Sequence, residues 1–204
     1  MDLHIWLAYL VTAVVFSLAP GSGTVNSISN GLCYGTRKSL AAIAGLQIGL
    51  TIHIVLVGAG LGALVAQSAT AFSVIKWIGA GYLIWLGIQK WRDNHSLAVM
   101  EGQKTLGAKA LMSRAVLINL TNPKSIVFLV ALFPQFIDPA GDQLRQLAIL
   151  GITTVSVDTL VMLGYTSLAA KMGHFVRSQR AMTRLNRVFG SLFVGFGALL
   201  ATSK

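Results

Sequence analysis

The chain alternates long apolar stretches with short clusters of charged residues. Asp, Glu, Lys and Arg are absent between Asp2 and Arg37, and again between Lys38 and Lys76. Because about 20 apolar residues in a helix cross a membrane core of about 30 Å, such stretches are long enough to span a bilayer. Hydropathy and charge spacing predict six transmembrane helices, at residues 5–30, 40–65, 72–89, 114–136, 144–170 and 187–201. We therefore expect an all-α integral membrane protein.

The composition supports a membrane protein and argues against a soluble domain. Hydrophobic residues make up 54% of the chain and charged residues only 11%, and the mean hydropathy is +0.71. The net charge of +10 does not indicate nucleic acid, because the basic residues cluster in short stretches between apolar segments. Cys33 is the single cysteine, which excludes an internal disulfide. We expect neither a metal nor a cofactor, and membrane lipid is the predicted surrounding.

The distribution of lysine and arginine predicts the orientation. Twelve of these residues follow the first, third and fifth predicted spans, and three lie on the opposite side. Loops rich in Lys and Arg stay in the cytoplasm. We therefore expect the basic loops to be cytoplasmic and both termini to lie outside, in a multi-pass protein of the bacterial cytoplasmic (inner) membrane.

The two halves of the chain resemble each other. "SLAPGSG" in the first span corresponds to "NLTNPKS" in the fourth at an offset of about 100 residues, and "KWIGAGYLIWLG" in the third corresponds to "RVFGSLFVGFGA" in the sixth. Three spans per half require the second half to insert upside down, which is the inverted-repeat plan of many secondary transporters. One domain, residues 1–204, would comprise repeat one at about 1–92, a basic loop at about 91–112 and repeat two at about 113–204.

Both corresponding segments contain residues that interrupt helices. Proline in a helix interior removes a backbone hydrogen bond, and in hydrocarbon the freed groups need partners in protein or in a wet cavity. Pro20 with Gly21 and Gly23 would break helix 1, and Asn122 with Pro123 would break helix 4. Matched breaks predict a substrate site near the middle of the membrane. The alternative is that both prolines are ordinary kinks packed against neighbouring helices.

Lys124, Asp158 and His53 are the ionisable residues within the predicted spans that we consider candidates for function. Lys124 follows the second break, where we expect it to meet a substrate carboxylate or a carboxylate partner, unless it reaches the headgroup layer. Asp158 is the one acidic residue inside an apolar span, and a carboxyl group that is neutral in one state and charged in another suits proton coupling. His53 is a second candidate proton carrier. A structural, hydrogen-bonded role is the alternative for Asp158 and for His53.

Polar residues beside the breaks complete the candidate site. Gln47 lies on the same span as His53, and Asn26 makes the second half of helix 1 polar. Helix–helix hydrogen bonding or a loop position is the alternative for these two residues. The predicted substrate pathway comprises Pro20, Gly21, Ser22, Gly23, Asn26, Gln47, Asn119, Asn122, Pro123 and Lys124, and the proton-coupling residues are Asp158 and His53.

Glycine spacing bears on helix packing, and the absence of a nucleotide-binding motif bears on the energy source. Gly45-x-x-x-Gly49 predicts close helix–helix packing. The chain contains no Walker sequence, so a gradient rather than ATP would supply the energy.

The motif-bearing segments "SLAPGSG" and "NLTNPKSIVFL" resemble the LysE/RhtB family of bacterial amino-acid exporters, and the resemblance extends over nearly the whole chain. It implies a carrier in the cytoplasmic membrane, not an enzyme, that expels small neutral amino acids or a lactone derived from one, driven by proton antiport. The direction of transport comes from the resemblance alone. Ser22 stands where the family has the second proline of a Pro-Gly-Pro element. We expect this difference to loosen the break or to add a hydroxyl ligand.

The sequence alone leaves other functions open. Export of other amino acids within the same family is the first alternative. An intramembrane hydrolase and a channel or structural subunit are the others, and a homo-oligomer is compatible with the sequence.

Overall fold

The computed structural model describes residues 1–67, 69–92, 106–138, 140–171 and 179–202. All regular structure within these ranges is helical. The α-helices are α1 (Leu3–Leu18), α2 (Ser22–Gln67), α3 (Ala69–Arg92), α4 (Ala108–Leu120), α5 (Pro123–Val127), α6 (Gln143–Lys171) and α7 (Gln179–Thr202). A π-helical turn, Phe128–Leu132, and a 3-10 turn, Phe133–Phe136, continue α5.

Several of these helices have the length and composition of membrane spans. In the described part of the chain, two stretches are long and apolar enough to cross a bilayer, Ser22–Gly60 within α2, which Gly35 divides into two arms, and the whole of α6. Ala108–Leu120 and Pro123–Phe136 form a third when they are taken as one span bent by 51°. Leu3–Leu18 and Asn186–Thr202 are apolar but shorter. The prediction of an all-α membrane protein is confirmed in this form.

Gly35 reverses the direction of α2. Its φ of 71° and ψ of 172° are not helical, and only glycine adopts this backbone region readily. A Cβ atom on Gly23 would lie 3.8 Å from Leu46 Cδ2, whereas 23 residues of straight helix would separate these positions by about 35 Å. The arms at residues 22–34 and 36–67 therefore form a tight helical hairpin.

The two arms of α2 pack on α6 in opposite directions. In the first arm, the Ser27 hydroxyl donates to Met162 Sδ at 3.2 Å, and Gly31 lies against the Thr166 backbone, where a Cβ atom would be 2.4 Å from the carbonyl oxygen. In the second arm, Gln47 meets Asp158, and position 54 meets position 151. The first arm is thus parallel to α6 and the second arm is antiparallel to it.

Helices α3 and α7 form a second antiparallel pair. A Cβ atom on Gly87 would lie 2.5 Å from the Gly190 carbonyl oxygen, and one on Gly197 would lie 2.8 Å from that of Ala80. Position 80 therefore faces position 197, while position 87 faces position 190. Small residues permit this approach, as they do in many membrane helix pairs.

The predicted packing role of Gly45 and Gly49 is confirmed. Cβ atoms on these residues would lie 2.2 Å from the Met112 carbonyl oxygen and 2.8 Å from Asn119 Cβ, respectively. The second arm of α2 therefore runs alongside α4, in the same direction.

Three predicted boundaries are wrong. The connection expected at residues 31–39 is helical except for the turn at Gly35, because one glycine reverses the chain. Helix α4 begins at residue 108, inside the predicted basic loop, and α7 begins at residue 179 rather than 187. Both errors follow from reading basic residues as loop, although lysine and arginine are good helix formers. Most of the two basic loops, residues 93–105 and 172–178, lies outside the described residues.

Replacing Gly35 with alanine tests the hairpin turn. No atom lies within 4 Å of a Cβ at this position, so the substitution changes only the backbone cost, by about 1–3 kcal/mol. We expect a lower apparent melting temperature for Gly35→Ala in detergent. Gly164→Ala in α6 is the matched control, because its Cβ is equally unobstructed and its backbone is helical. Equal melting temperatures for the two variants would contradict the strained turn.

Candidate functional site

Two interrupted helices define the candidate site. Helix α1 ends at Leu18 and α2 begins at Ser22, so the first break comprises residues 19–21. Helix α4 ends at Leu120 and α5 begins at Pro123, so the second break comprises residues 121 and 122. Both breaks fall where the sequence predicts them. Each one leaves backbone carbonyl and amide groups that need partners, because water is scarce inside a bilayer.

The second break is built as a helix start. Asn122 is the N-cap of α5, and its Oδ1 accepts a hydrogen bond from the Lys124 amide nitrogen at 3.2 Å. Its Nδ2 donates to Ser125 Oγ at 3.0 Å. Pro123 occupies the first helical position, where a missing N–H leaves no hydrogen bond unmade. The Asn-Pro-Lys element therefore starts a new helix at the point where α4 has stopped.

Lys124 joins the second break to the first. Its Nζ donates to the carbonyl oxygens of Phe16 at 3.0 Å and Ala19 at 2.7 Å, and it lies 4.7 Å from the centroid of the Phe16 ring. The side chain is only 8% exposed. The ammonium group thus satisfies carbonyl groups at the negative end of α1, where a cation is favoured.

Matching side chains meet the last residue of each interrupted helix. The Tyr165 hydroxyl of α6 donates to the Leu18 carbonyl oxygen at 2.6 Å. His53 of α2 hydrogen-bonds to the backbone of Leu120. His53 is 9% exposed, and its buried Nδ1 atom has no hydrogen-bond partner. Each break is therefore stabilised by a polar side chain from a neighbouring helix.

Asp158 lies beside the two breaks. Its Oδ2 accepts a hydrogen bond from Gln47 Nε2 at 2.8 Å. Ser17 lines the same cavity as Asp158, and the charge of Lys124 interacts with the carboxyl group. The carboxyl group and the ammonium group thus face the same space from opposite helices.

That space is a small polar cavity of about 20 Å³, which holds about one water molecule. Five predicted site residues line it: Gly23, Asn119, Asn122, Lys124 and Asp158. Asn119 donates to the Leu46 carbonyl oxygen at 2.8 Å, while its own buried Oδ1 has no partner. The cavity is too small for an amino acid.

The other predicted site residues surround the cavity or lie away from it. Pro20 and Pro123 form the breaks, and Gly21 contacts the Lys124 stem, where a Cβ atom would lie 3.3 Å from Cδ and Cε. Gln47 acts through Asp158, and His53 lies at the end of α4.

Two predicted residues have other surroundings. The exposed Ser22 side chain is outside the cavity lining, as is Asn26, whose Oδ1 accepts from Asn30 at 3.1 Å.

Sequence reasoning missed several residues of the site. Ser17, Ser125 and Thr154 line the cavity beside the ring of Phe16. Two of them had a usable signal, because Ser125 follows the Asn-Pro-Lys element directly and Thr154 is one helical turn before Asp158. The role of Tyr165 had no signal in the sequence, since it depends on the crossing of α6 and α1.

The family model for the LysE type translocator matches residues 14–204. An uncharacterized membrane protein of Vibrio cholerae is 69% identical over the whole length of both chains. The homoserine/homoserine lactone efflux protein of Salmonella typhimurium is 51% identical, over 100% of this chain and 99% of the relative. The leucine efflux protein of Klebsiella pneumoniae is 33% identical, over 97% and 94%.

No solved structure matches the chain. The apolar helices have the length and composition of membrane spans, and the cavity lies between two interrupted helices. The chain belongs to the LysE family of translocators, as the resemblance implied, and it is therefore a transporter and not an enzyme.

In the described residues, no group of three or more His, Cys, Asp or Glu side chains is placed to hold a metal ion.

Replacing Asn122 tests whether the second break depends on its cap. Asn122→Ala removes the N-cap acceptor and the bond to Ser125, and we expect it to destabilise the protein by about 0.5–2 kcal/mol. Asn122→Ser keeps a capping hydroxyl and should retain most of the stability. Thermal unfolding in detergent measures the difference. If the alanine variant is as stable as the serine variant, the cap does not hold the break.

Proposed function

We propose that the protein is a secondary carrier that exports homoserine, homoserine lactone and related small neutral amino acids such as threonine across the cytoplasmic membrane. The observation that carries this proposal is the meeting of two interrupted helices at one polar cavity. The substrate class follows from the 51% identity to the homoserine/homoserine lactone efflux protein over the full length of the chain. Leucine export is the second candidate, supported by the more distant leucine efflux relative.

Six membrane spans in two inverted three-helix repeats remain our interpretation of the architecture. Three observations support it. The second arm of α2 is antiparallel to α6, and α3 is antiparallel to α7. Helix α1 is parallel to α6, because Trp6 contacts Thr153 and Leu18 contacts Tyr165. Helix α4 runs in the direction of the second arm of α2, which is antiparallel to α6. Helices α1 and α4 therefore also run in opposite directions. An inverted repeat requires this sense for all three pairs.

The caps of the broken helices follow the same symmetry. Tyr165 reaches the end of α1 from the fifth predicted span, and His53 reaches the end of α4 from the second. The two side chains come from helices that correspond under the repeat, although they lie at different positions along those helices and differ in residue type. We infer that the halves rock against each other around the breaks, opening the cavity to one side of the membrane at a time. The excess of basic residues puts the cytoplasm on the side of the predicted basic loops.

Proton antiport is our proposal for the energy source, with Asp158 as the coupling group. The carboxyl group lies at the cavity, and Gln47 donates a hydrogen bond to it. A hydrogen-bond donor favours the charged form, because a carboxylate is a stronger acceptor than a protonated carboxyl group. His53 lies at the Leu120 backbone instead of the cavity. Any role of His53 in proton coupling would therefore act through the second break.

Transport in liposomes tests the proposed function directly. Purified protein should exchange labelled homoserine for internal unlabelled homoserine or its lactone, and exchange with leucine should be weaker. Expression in cells should lower the intracellular retention of homoserine. Uptake that follows electrodiffusion without counterflow would indicate a channel, and faster exchange of leucine than homoserine would favour the second candidate.

Asp158→Asn separates coupling from binding. The amide keeps the shape and an acceptor for Gln47 but cannot exchange a proton, so we expect export driven by a pH gradient to fall at least tenfold. Substrate exchange without a gradient should persist. Asp142→Asn is the control, because Asp142 accepts a hydrogen bond from the Arg145 amide at the start of α6, away from the cavity, and asparagine is an equally good cap. Full gradient-driven export by Asp158→Asn would contradict the coupling role.

A further inference from the structure

The end of α1 carries a cation-binding arrangement that the proposed function does not use. It consists of the carbonyl oxygens of Phe16 and Ala19 together with the Phe16 ring, and we call it the ammonium cage. Lys124 Nζ fills the cage, at 3.0 and 2.7 Å from the two oxygens and 4.7 Å from the ring centroid. The cage adjoins the polar cavity, because Phe16 and Lys124 both line that cavity.

The chemistry of the cage suits any primary ammonium group. Two carbonyl oxygens at the negative end of a helix accept N–H bonds from a cation, and an aromatic face attracts the same charge. The α-ammonium group of an amino acid or of its lactone offers the same three donors as the lysine side chain. Lysine has a flexible four-carbon stem, so it can leave the cage without movement of its own backbone.

The closed cavity leaves little space for substrate while Lys124 occupies the cage. About one water molecule fits beside it. A substrate that enters must therefore take space and hydrogen-bond acceptors that the lysine now uses. When Lys124 moves out, the nearest opposite charge across the cavity is Asp158, with which it already interacts electrostatically.

We propose that the ammonium cage is the subsite for the ammonium group of the transported molecule, and that Lys124 is its tethered occupant in the empty carrier. Substrate binding displaces Lys124, which then pairs with the carboxylate of an amino acid. With a lactone, which has no carboxylate, Lys124 pairs with Asp158. This inference rests on the proposed function and assigns the two ends of its substrate. The alternative is a site in which Lys124 binds the substrate carboxylate without first being displaced from the cage.

Competition against homoserine exchange tests the inference on the unaltered protein. 3-Aminopropan-1-ol keeps the ammonium and hydroxyl groups of homoserine, and 4-hydroxybutyrate keeps the hydroxyl and carboxylate. Because Lys124 becomes available only after an ammonium group enters the cage, the amine should compete at least about tenfold better than the acid, as expected for loss of a charged hydrogen bond. Equal competition, or stronger competition by the acid, would overturn the proposal.

Lys124→Met provides the second test. It empties the cage and removes the carboxylate partner, so the inhibition constant of homoserine should rise while that of the lactone stays constant or falls. We expect the ratio of the two constants to shift toward the lactone by at least about tenfold. Lys109→Met is the matched control, since Lys109 is exposed at the start of α4. A purely structural lysine would weaken both substrates together and leave the ratio unchanged.

Lys124→Gln serves if the methionine variant does not fold, because the amide retains a hydrogen-bond donor without the charge. The same shift in ratio is expected, and an unchanged ratio in the folded glutamine variant would refute the exchange. If neither variant folds, the competition between amine and acid decides on the unaltered protein.

Phe16→Leu, made alone and together with Lys124→Met, shows what the ring contacts. If the ring receives the substrate ammonium, the leucine variant weakens lactone binding about two- to fivefold even in the methionine background. If the ring contacts only Lys124, Phe16→Leu has no effect on lactone binding in the methionine background, and the cage assignment fails.

The proposed function and this inference can fail separately. Absence of any homoserine or lactone exchange by the unaltered protein would contradict the proposed function, whereas normal exchange with the wrong competition order would contradict only this inference.

Discussion

The bonds from Lys124 to the end of α1 are the interaction on which the arrangement of the site depends. An interrupted helix in a membrane leaves carbonyl groups that water cannot reach, and each unsatisfied group costs several kcal/mol. Here the ammonium group of one broken span satisfies the carbonyl oxygens of Phe16 and Ala19 in the other. The two breaks are therefore held together, and the polar groups of both are concentrated in one small volume.

The same constraint explains why we expect the helices at this site to move relative to each other during transport. Side chains from other helices meet the C-terminal ends of both interrupted helices: Lys124 and Tyr165 for α1, and His53 for α4. Any motion that separates the helices must exchange these hydrogen bonds for others, and a polar substrate can supply them. The cavity between these helices has room for about one water molecule.

The sequence was most informative where the chemistry is local. Pro20, Asn122 and Pro123 predicted both breaks, because proline and asparagine act on their own backbone neighbours. Lys124 and Asp158 were recognisable because charge is expensive in hydrocarbon.

Other features depend on how distant segments cross, so the sequence could not reveal them. Lys124 donates to backbone carbonyl groups at the end of α1, a contact that depends on how the two interrupted helices meet. Tyr165 reaches Leu18 across 147 positions of sequence. The turn at Gly35 was hidden for another reason, since glycine is common in membrane helices.

Access to the cavity from the two sides of the membrane tests the central claim most directly. In a protein with Cys33 replaced by serine, Ser125→Cys puts one thiol at the cavity wall, and Ile152→Cys puts one on the exposed apolar face of α6. The account predicts that a membrane-impermeant thiol reagent labels position 125 from either side, more slowly with saturating homoserine, and labels position 152 from neither. Labelling of position 125 from one side only, or without protection by substrate, would contradict a cavity that opens alternately between the two broken helices.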